Sequence, residues 1–271
     1  MTNIKSYIQK GLETNPLREP LLSEAVKALN LPSRSRGLDA GCGIGLQSLL
    51  LADAVGPDGH VTGLDISPEF LQYAGGLIAK SELSDRILFK QGNIYNLPFE
   101  NNSFDWVWSA DCAGYPVEAN PVSLIGELSR VVKPGGKVAV LAYSSQMLLP
   151  GYPFLEARLN ATCSSYIPIV KGKRPESNFL RALEWFREAG LEEPTTLTFV
   201  KDVYAPLSSE MRTALYSLID MLWGEKQVEV SEEDWAEYQR LCRPDSLDFI
   251  LDLPAYYGFF TYSMFHGVVP F

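Results

Sequence analysis

Apolar side chains change their period repeatedly along the first 145 residues, from runs of four to six to spacings of three and four. Residues 4–12 and 17–31 show the helical spacing, the second with Leu21, Leu22, Ala25, Val26, Ala28 and Leu29 on one face, and predict two helices. Gly37, Leu38, Asp39 and Ala40 read as a strand that runs through Gly41, Gly43 and Gly45 into a helix marked by Leu46, Leu49, Leu50, Leu51 and Ala52. A turn at Gly56, Pro57, Asp58 and Gly59 precedes a second strand over 60–65. A helix over 69–83, a strand over 86–94, a strand ending near Ser109, a helix over 119–132 and an apolar strand through Val138, Val140 and Leu141 follow.

Beyond residue 145 this order lapses. Residues 146–178 mix Pro150, Gly151, Pro153, Pro168, Gly172 and Pro175 with Tyr152, Phe154 and Tyr166, and predict an irregular insert with short helices. Residues 178–189 form an amphipathic helix stopped at Gly190, and 195–204 a strand. A helical insert over 206–253 and a last strand over 256–268 complete the chain.

Composition narrows the function. Charged residues at 21% and hydrophobic ones at 46% are ordinary for a folded protein. The net charge of −10 disfavours nucleic acid and anionic membrane as partners and favours a small-molecule acceptor. The first ten residues lack a continuous apolar core, and no later run reaches the ~20 residues of a membrane span, so the expected setting is cytoplasmic. Cys42, Cys112, Cys163 and Cys242 are far apart, have no metal-ligand spacing, and are read as free thiols, with no metal expected.

The glycine loop carries the chemistry. A dinucleotide fingerprint would place its last glycine where Leu46 stands, and wants a positive environment for pyrophosphate. No Lys or Arg occurs between Arg36 and Lys80, whereas Asp39, Asp53, Asp58, Asp65 and Glu69 do. Such a rim attracts a cation.

Asp39, Gly41, Gly43 and Gly45 resemble motif I of the class I S-adenosylmethionine (SAM) dependent methyltransferases, an acidic residue, any residue, then G-x-G-x-G. Two later stretches agree in order: Leu97, Pro98 and Phe99 leading to Ser103, Phe104, Asp105 and Val107, and Lys133, Pro134, Gly135 and Gly136 turning into the fifth strand. The helix over 178–189 and the strand over 195–204 resemble a late stretch of the family as well. The resemblance implies an α/β, Rossmann-like seven-stranded mixed sheet, order 3-2-1-4-5-7-6, with the last strand antiparallel and helical lid insertions. Its parts would be a cofactor core with N-terminal helices over 1–145, a lid insert over 146–178, a core helix and sixth strand over 179–205, a second lid insert over 206–253, and the last strand over 254–271.

The implied cofactor is SAM, with S-adenosylhomocysteine as product. Asp39, Gly41, Cys42 and Gly43 would form its loop; Asp65, followed by Ile66, would accept from the ribose hydroxyls; Asn93 and Ile94 would meet the adenine; Ser109 and Ala110 would border it. Asp65 could also cap the following helix, although Ser67 before Pro68 already supplies a cap. Asn93 could be a turn residue, and Arg18 either a partner of the cofactor carboxylate or a solvated surface group.

Asp111 and Tyr115 are candidates for handling the acceptor; His60 lies on the opposite side of the sheet, His266 near the end of the last strand, and no catalytic base is assigned. Ser109, Ala110, Asp111 and Cys112 are not the Asn- or Asp-Pro-Pro-aromatic motif of nucleic-acid amino-methyltransferases. The expected function is methyl transfer to a small molecule, the type exemplified by quinone-biosynthesis C-methyltransferases. The alternatives are a protein or RNA methyltransferase and a SAM-binding scaffold without turnover. The inserts would select the acceptor as an aromatic lid, or else form a homodimer surface.

Overall fold

Seven of the apolar runs become strands, β1 (Arg36–Ala40), β2 (His60–Asp65), β3 (Ile87–Gln91), β4 (Phe104–Ala110), β5 (Val132–Met147), β6 (Glu192–Tyr204) and β7 (Tyr257–Val268). They form one sheet in the order β3-β2-β1-β4-β5-β7-β6. A computed structural model describes residues 4–112, 120–162, 175–225 and 227–271. Pairing is parallel from β3 through β5. Between β5 and β7 it is antiparallel, because Gly135 and Gly136 bond Val269 whereas Ser144, further along β5, meets Thr261, earlier along β7. The expected mixed sheet is therefore present, strand by strand.

The helices are α1 (Ile4–Ala28), α2 (Leu46–Ala54), α3 (Pro68–Ile78), α4 (Pro121–Arg130), α5 (Pro153–Asn160), α6 (Ala182–Glu188), α7 (Ser209–Trp223) and α8 (Glu232–Cys242). None, among the described residues, is long and apolar enough to cross a membrane.

Two expectations are corrected. The two N-terminal helices are one, α1, which continues through Pro16 and Pro20. Each proline removes a helix donor, yet Leu17, Leu21, Leu22, Ala25 and Val26 are all buried, and that apolar stripe outweighs the lost bonds. Ala28 faces outward instead. The Lys133 to Gly136 segment is a bulge within β5 rather than a turn before it: the register with β4 jumps from Phe104↔Val132 to Trp106↔Lys137. Gly135 takes φ +76°, and a Cβ on Gly136 would collide with the Asp105 carbonyl oxygen. Asp105 itself accepts from the Arg36 backbone N–H and from Lys133 Nζ, both at 2.7 Å, so these two passages brace the amino ends of the strands.

The chain divides into two compact units. One comprises Leu22–Ala142, Pro175–Thr198 and Ser263–Phe271. Its core gathers Leu38, Val107, Leu128, Val138 and Val140 from the sheet and α4 with Phe179, Trp185, Phe186 and Phe265. The other comprises Met1–Leu21, Tyr143–Arg174 and Phe199–Tyr262. There Leu155, Leu159, Leu215, Leu218, Leu222, Trp223, Tyr238 and Leu241 are buried, and Arg158 Nε and Nη2 pair with Asp234 at 2.6–2.8 Å.

Candidate active site

The carboxyl ends of β1, β2 and β4 meet around the loop that leaves β1. Gly41 and Cys42 both donate backbone N–H bonds to the Leu64 carbonyl, at 2.7 and 2.9 Å, which turns the loop back over the end of β2. Gly43 then donates to Asp65 Oδ2 at 2.9 Å. The turn is possible because Gly41, Gly43 and Gly45 have φ of +84°, +53° and +82°, a region costly for any residue with a Cβ.

The three glycines differ in what surrounds them. A Cβ on Gly41 would collide with Cys112 Sγ, and one on Gly45 would lie 2.9 Å from the Phe89 ring. At Gly43 there is nothing within 4 Å. The loop thus has packed shoulders and an open middle, where a flat ligand could lie against bare backbone.

Asp65 reaches this opening, and the buried Asp39 lies near enough to Asp65 and Cys42 to act on both. Asp65 is 8% exposed, and its oxygens accept from the Gly43 and Ser67 N–H groups. Ser67, not Asp65, caps α3, its hydroxyl accepting from the Phe70 N–H at 3.2 Å. Asp39 is 1% exposed and accepts from Ser48 Oγ at 2.6 Å. Burial pushes its pKa up to about 7, with the Ser48 bond opposing and Asp65 adding to the rise.

Sulfur and a phenol complete the cluster. Burial raises the Cys42 thiol, helped by Asp39 and Asp65, and pushes Cys112 up to about 12, helped by Asp111, Asp65 and Asp39. Tyr95 is raised by burial and then by Cys112. The raised thiols and phenol are uncharged near neutral pH, so the charge that a cation would meet at the loop is that of its carboxylates.

The remaining sequence-predicted residues take distinct places. Ile66 follows Asp65 and is 67% exposed, an apolar surface beside the loop. Asn93 is exposed and its Oδ1 accepts from the Tyr95 N–H at 2.9 Å, a turn bond that leaves a second lone pair. Ile94 packs its side chain on the core. Ser109 is fully buried, its hydroxyl donating to the Ala40 carbonyl at 2.8 Å and so tying β4 to β1; Ala110 ends the strand. Asp111 follows with φ +52° and donates its N–H to the Leu141 carbonyl, so a non-glycine residue sits in a strained conformation at the edge of the site. Tyr115 lies outside the described residues.

One candidate lies away from the site. His266 is half-buried, and burial followed by the nearby Lys137 lowers its pKa; Lys137 pairs with Trp106 near the start of β4, away from the cofactor edge. Arg18 is partly buried: its Nε donates to Tyr262 Oη at 2.7 Å, and the guanidinium stands 5.5 Å from that ring. Ser48, Tyr95 and Cys112 were missed. Ser48 had a signal, since with Leu51, Ala52 and Val55 it falls on the buried helical stripe, a polar residue where an apolar one would pack.

Comparison with known proteins places the chain among relatives. The family model described as "methyltransferase domain" matches residues 32–190. Demethylmenaquinone methyltransferase of Listeria monocytogenes is 30% identical over 181 residues, 62% of this chain and 74% of the relative. The enzyme of the same name from a Geobacillus species is 36% identical over 128 residues, 46% of this chain and 53% of its own length. Among solved structures, the YcgJ protein of Bacillus subtilis superposes with a TM-score of 0.57 at 14% identity, covering 93% of this chain and 99% of that one. Haemonchus contortus phosphoethanolamine N-methyltransferase 2, in complex with SAM, gives 0.54 at 20%, covering 92% and 52%. Both show a shared fold.

Proposed function

The chain belongs to the class I SAM-dependent methyltransferases, and on that premise we propose that it binds SAM on the Gly41 to Gly45 loop and methylates a small-molecule acceptor. The observation that carries the cofactor assignment is the open backbone at Gly43 beside the Asp65 carboxylate, with Asp39 buried nearby. SAM would supply a methyl group on a sulfonium, which leaves as a neutral thioether and needs no acid.

This chain's residues would bind and orient. The Asp65 oxygens keep lone pairs beyond the two backbone bonds and can accept from ribose hydroxyls. Ile66 offers an apolar surface to the adenine and Asn93 a polar edge; the end of β4, at Ser109 and Ala110, borders the cofactor. Fixing an acceptor near attack distance supplies up to ~7–11 kcal/mol of the barrier without a base, and no base is assigned. Asp111, held at the edge in its strained conformation, is the described residue best placed to orient the acceptor.

A quinol-type aromatic acceptor is favoured by the names of the bacterial relatives, and the acidic balance supports a small molecule over nucleic acid, in a cytoplasmic setting. Acceptor selection would reside in the inserts over 146–178 and 206–253. They carry an exposed Phe154, at 79%, and the stacked pair Trp235 and Tyr238. A methyl-release assay over quinols, phenols and amines, with RNA and protein as further arms, tests the function. Turnover of a small molecule is expected. Turnover confined to RNA or protein, or SAM binding without turnover on any arm, would overturn it. Chimeras that exchange the inserts should change acceptor preference; unchanged preference would leave them as a dimer surface.

A further inference from the structure

A polar cluster outside the cofactor loop lies wholly within the unit that comprises Met1–Leu21, Tyr143–Arg174 and Phe199–Tyr262. Gln146, the last residue but one of β5, is 3% exposed. Its Nε2 donates to Asn160 Oδ1 at the end of α5, and the same oxygen accepts from Trp223 Nε1, at the end of α7, at 3.0 Å. An indole nitrogen can only donate, so Trp223 fixes which atom of the Asn160 amide is the oxygen. That oxygen can only accept, so Gln146 must turn its own nitrogen toward Asn160. Gln146 Oε1 is the atom left over, buried and without a hydrogen-bond partner among the described residues. Ser144, two residues earlier on the same face of the strand, bonds Thr261 of β7 at 2.8 Å, so the sheet serves it and not Gln146.

A buried carbonyl oxygen calls for a donor. β5 ends one residue further on, and open α/β sheets take their ligands at the carboxyl ends of their strands. Deepening the small-molecule reading above, on which it rests, we propose that Gln146 is a specificity-determining residue for the acceptor, its Oε1 accepting a hydrogen bond from a hydroxyl of that molecule. Asn160 and Trp223 are positioning residues that hold the amide in this orientation. A hydroxyl on the acceptor supplies the missing donor. A methyl ether brings only an acceptor oxygen, which leaves Oε1 unpaired and sets a second electronegative atom against it. The amide neither gives nor takes a proton, so Gln146 selects and orients without serving as a base.

Calorimetric titration of the full chain, saturated with S-adenosylhomocysteine, with 1-naphthol and with 1-methoxynaphthalene tests the subsite. The wild type should bind 1-naphthol roughly tenfold or more tightly than the ether. Gln146→Met should bring that ratio below about twofold with the affinity for SAM unchanged, and Asn160→Leu should lower it likewise by freeing the amide to turn. A merely structural role at either position would lower the melting temperature and leave the ratio alone. A crystal structure of the wild type with 1-naphthol should show the hydroxyl on Gln146 Oε1, which keeps the proposal open to refutation where a variant does not fold. Equal affinities in the wild type, binding of neither compound, a ratio kept in Gln146→Met, or a water held on Oε1 with 1-naphthol elsewhere each overturns the subsite and leaves the methyl-transfer reading standing. Turnover confined to RNA or protein overturns both.

Discussion

Gly43 donates its backbone N–H to Asp65 Oδ2 at 2.9 Å, so the carboxylate at the tip of β2 braces the loop that leaves β1. The same side chain holds the Ser67 N–H at the entrance to α3. One residue therefore fixes the loop and forms part of its rim.

Asp65→Ala should consequently weaken SAM binding by about 1.5–3 kcal/mol, the worth of a charged hydrogen-bond acceptor, and lower stability as well by leaving two N–H groups without their acceptor. Calorimetry and thermal denaturation read the two effects separately. An unchanged affinity would remove Asp65 from the site.

The unequal surroundings of the loop glycines give a second test. Gly41→Ala meets Cys112 Sγ in addition to the left-handed backbone, so it should cost more than the ~1–2 kcal/mol of that conformation. Gly43→Ala meets no atom within 4 Å and should cost about that conformational amount only, yet its methyl group fills the opening. We expect Gly43→Ala to melt at a higher temperature than Gly41→Ala and still to lose SAM binding. Retained binding would place the cofactor elsewhere.

Asp39 also links stability to pH. Its folded pKa of about 7 lies above the ordinary 3.8, so between these values the folded protein holds a proton that the unfolded chain has released. The stabilisation from this group is complete below about pH 4, declines as pH rises, and is gone above about 7, on the order of a few kcal/mol in all. In urea unfolding of the ligand-free protein, Asp39→Asn should gain on the wild type across that window. A constant difference between the two would contradict the shift.

Arg18→Ala should cost roughly 1–2 kcal/mol, because it removes both a hydrogen bond to Tyr262 Oη and the guanidinium over the ring. Tyr262→Phe keeps the ring and should cost less. Equal losses would mean that the hydroxyl carries the whole interaction.

How far the sequence could be read follows from the range of each interaction. β2 was legible end to end because its signal is local: an apolar run closed by a turn before it and a capped helix after it, at Ser67. The continuity of α1 through Pro16 and Pro20 was not, since it depends on the burial of Leu17 and Leu21 in a tertiary setting that the proline rule cannot see. The extent of β5 was hidden likewise: Lys133 to Gly136 reads as a turn, and becomes a strand bulge only through partners such as Val269 and Asp105.

At the site, backbone-forming residues announced themselves and their supporting side chains did not. Gly41, Gly43 and Asp65 belong to a contiguous motif and its neighbour strand. Cys112 and Tyr95 come from separate strand ends and join the cluster only when β3 and β4 are placed beside β2 and β1.

The central claim is that a loop of bare backbone beside the Asp65 carboxylate holds a positively charged nucleoside. Side-by-side titration of the purified chain with SAM and with NAD measures it most directly. The account predicts saturable binding of one SAM per chain, lost in Gly43→Ala, and no heat of binding with NAD. Saturable NAD binding in the absence of SAM binding would contradict it.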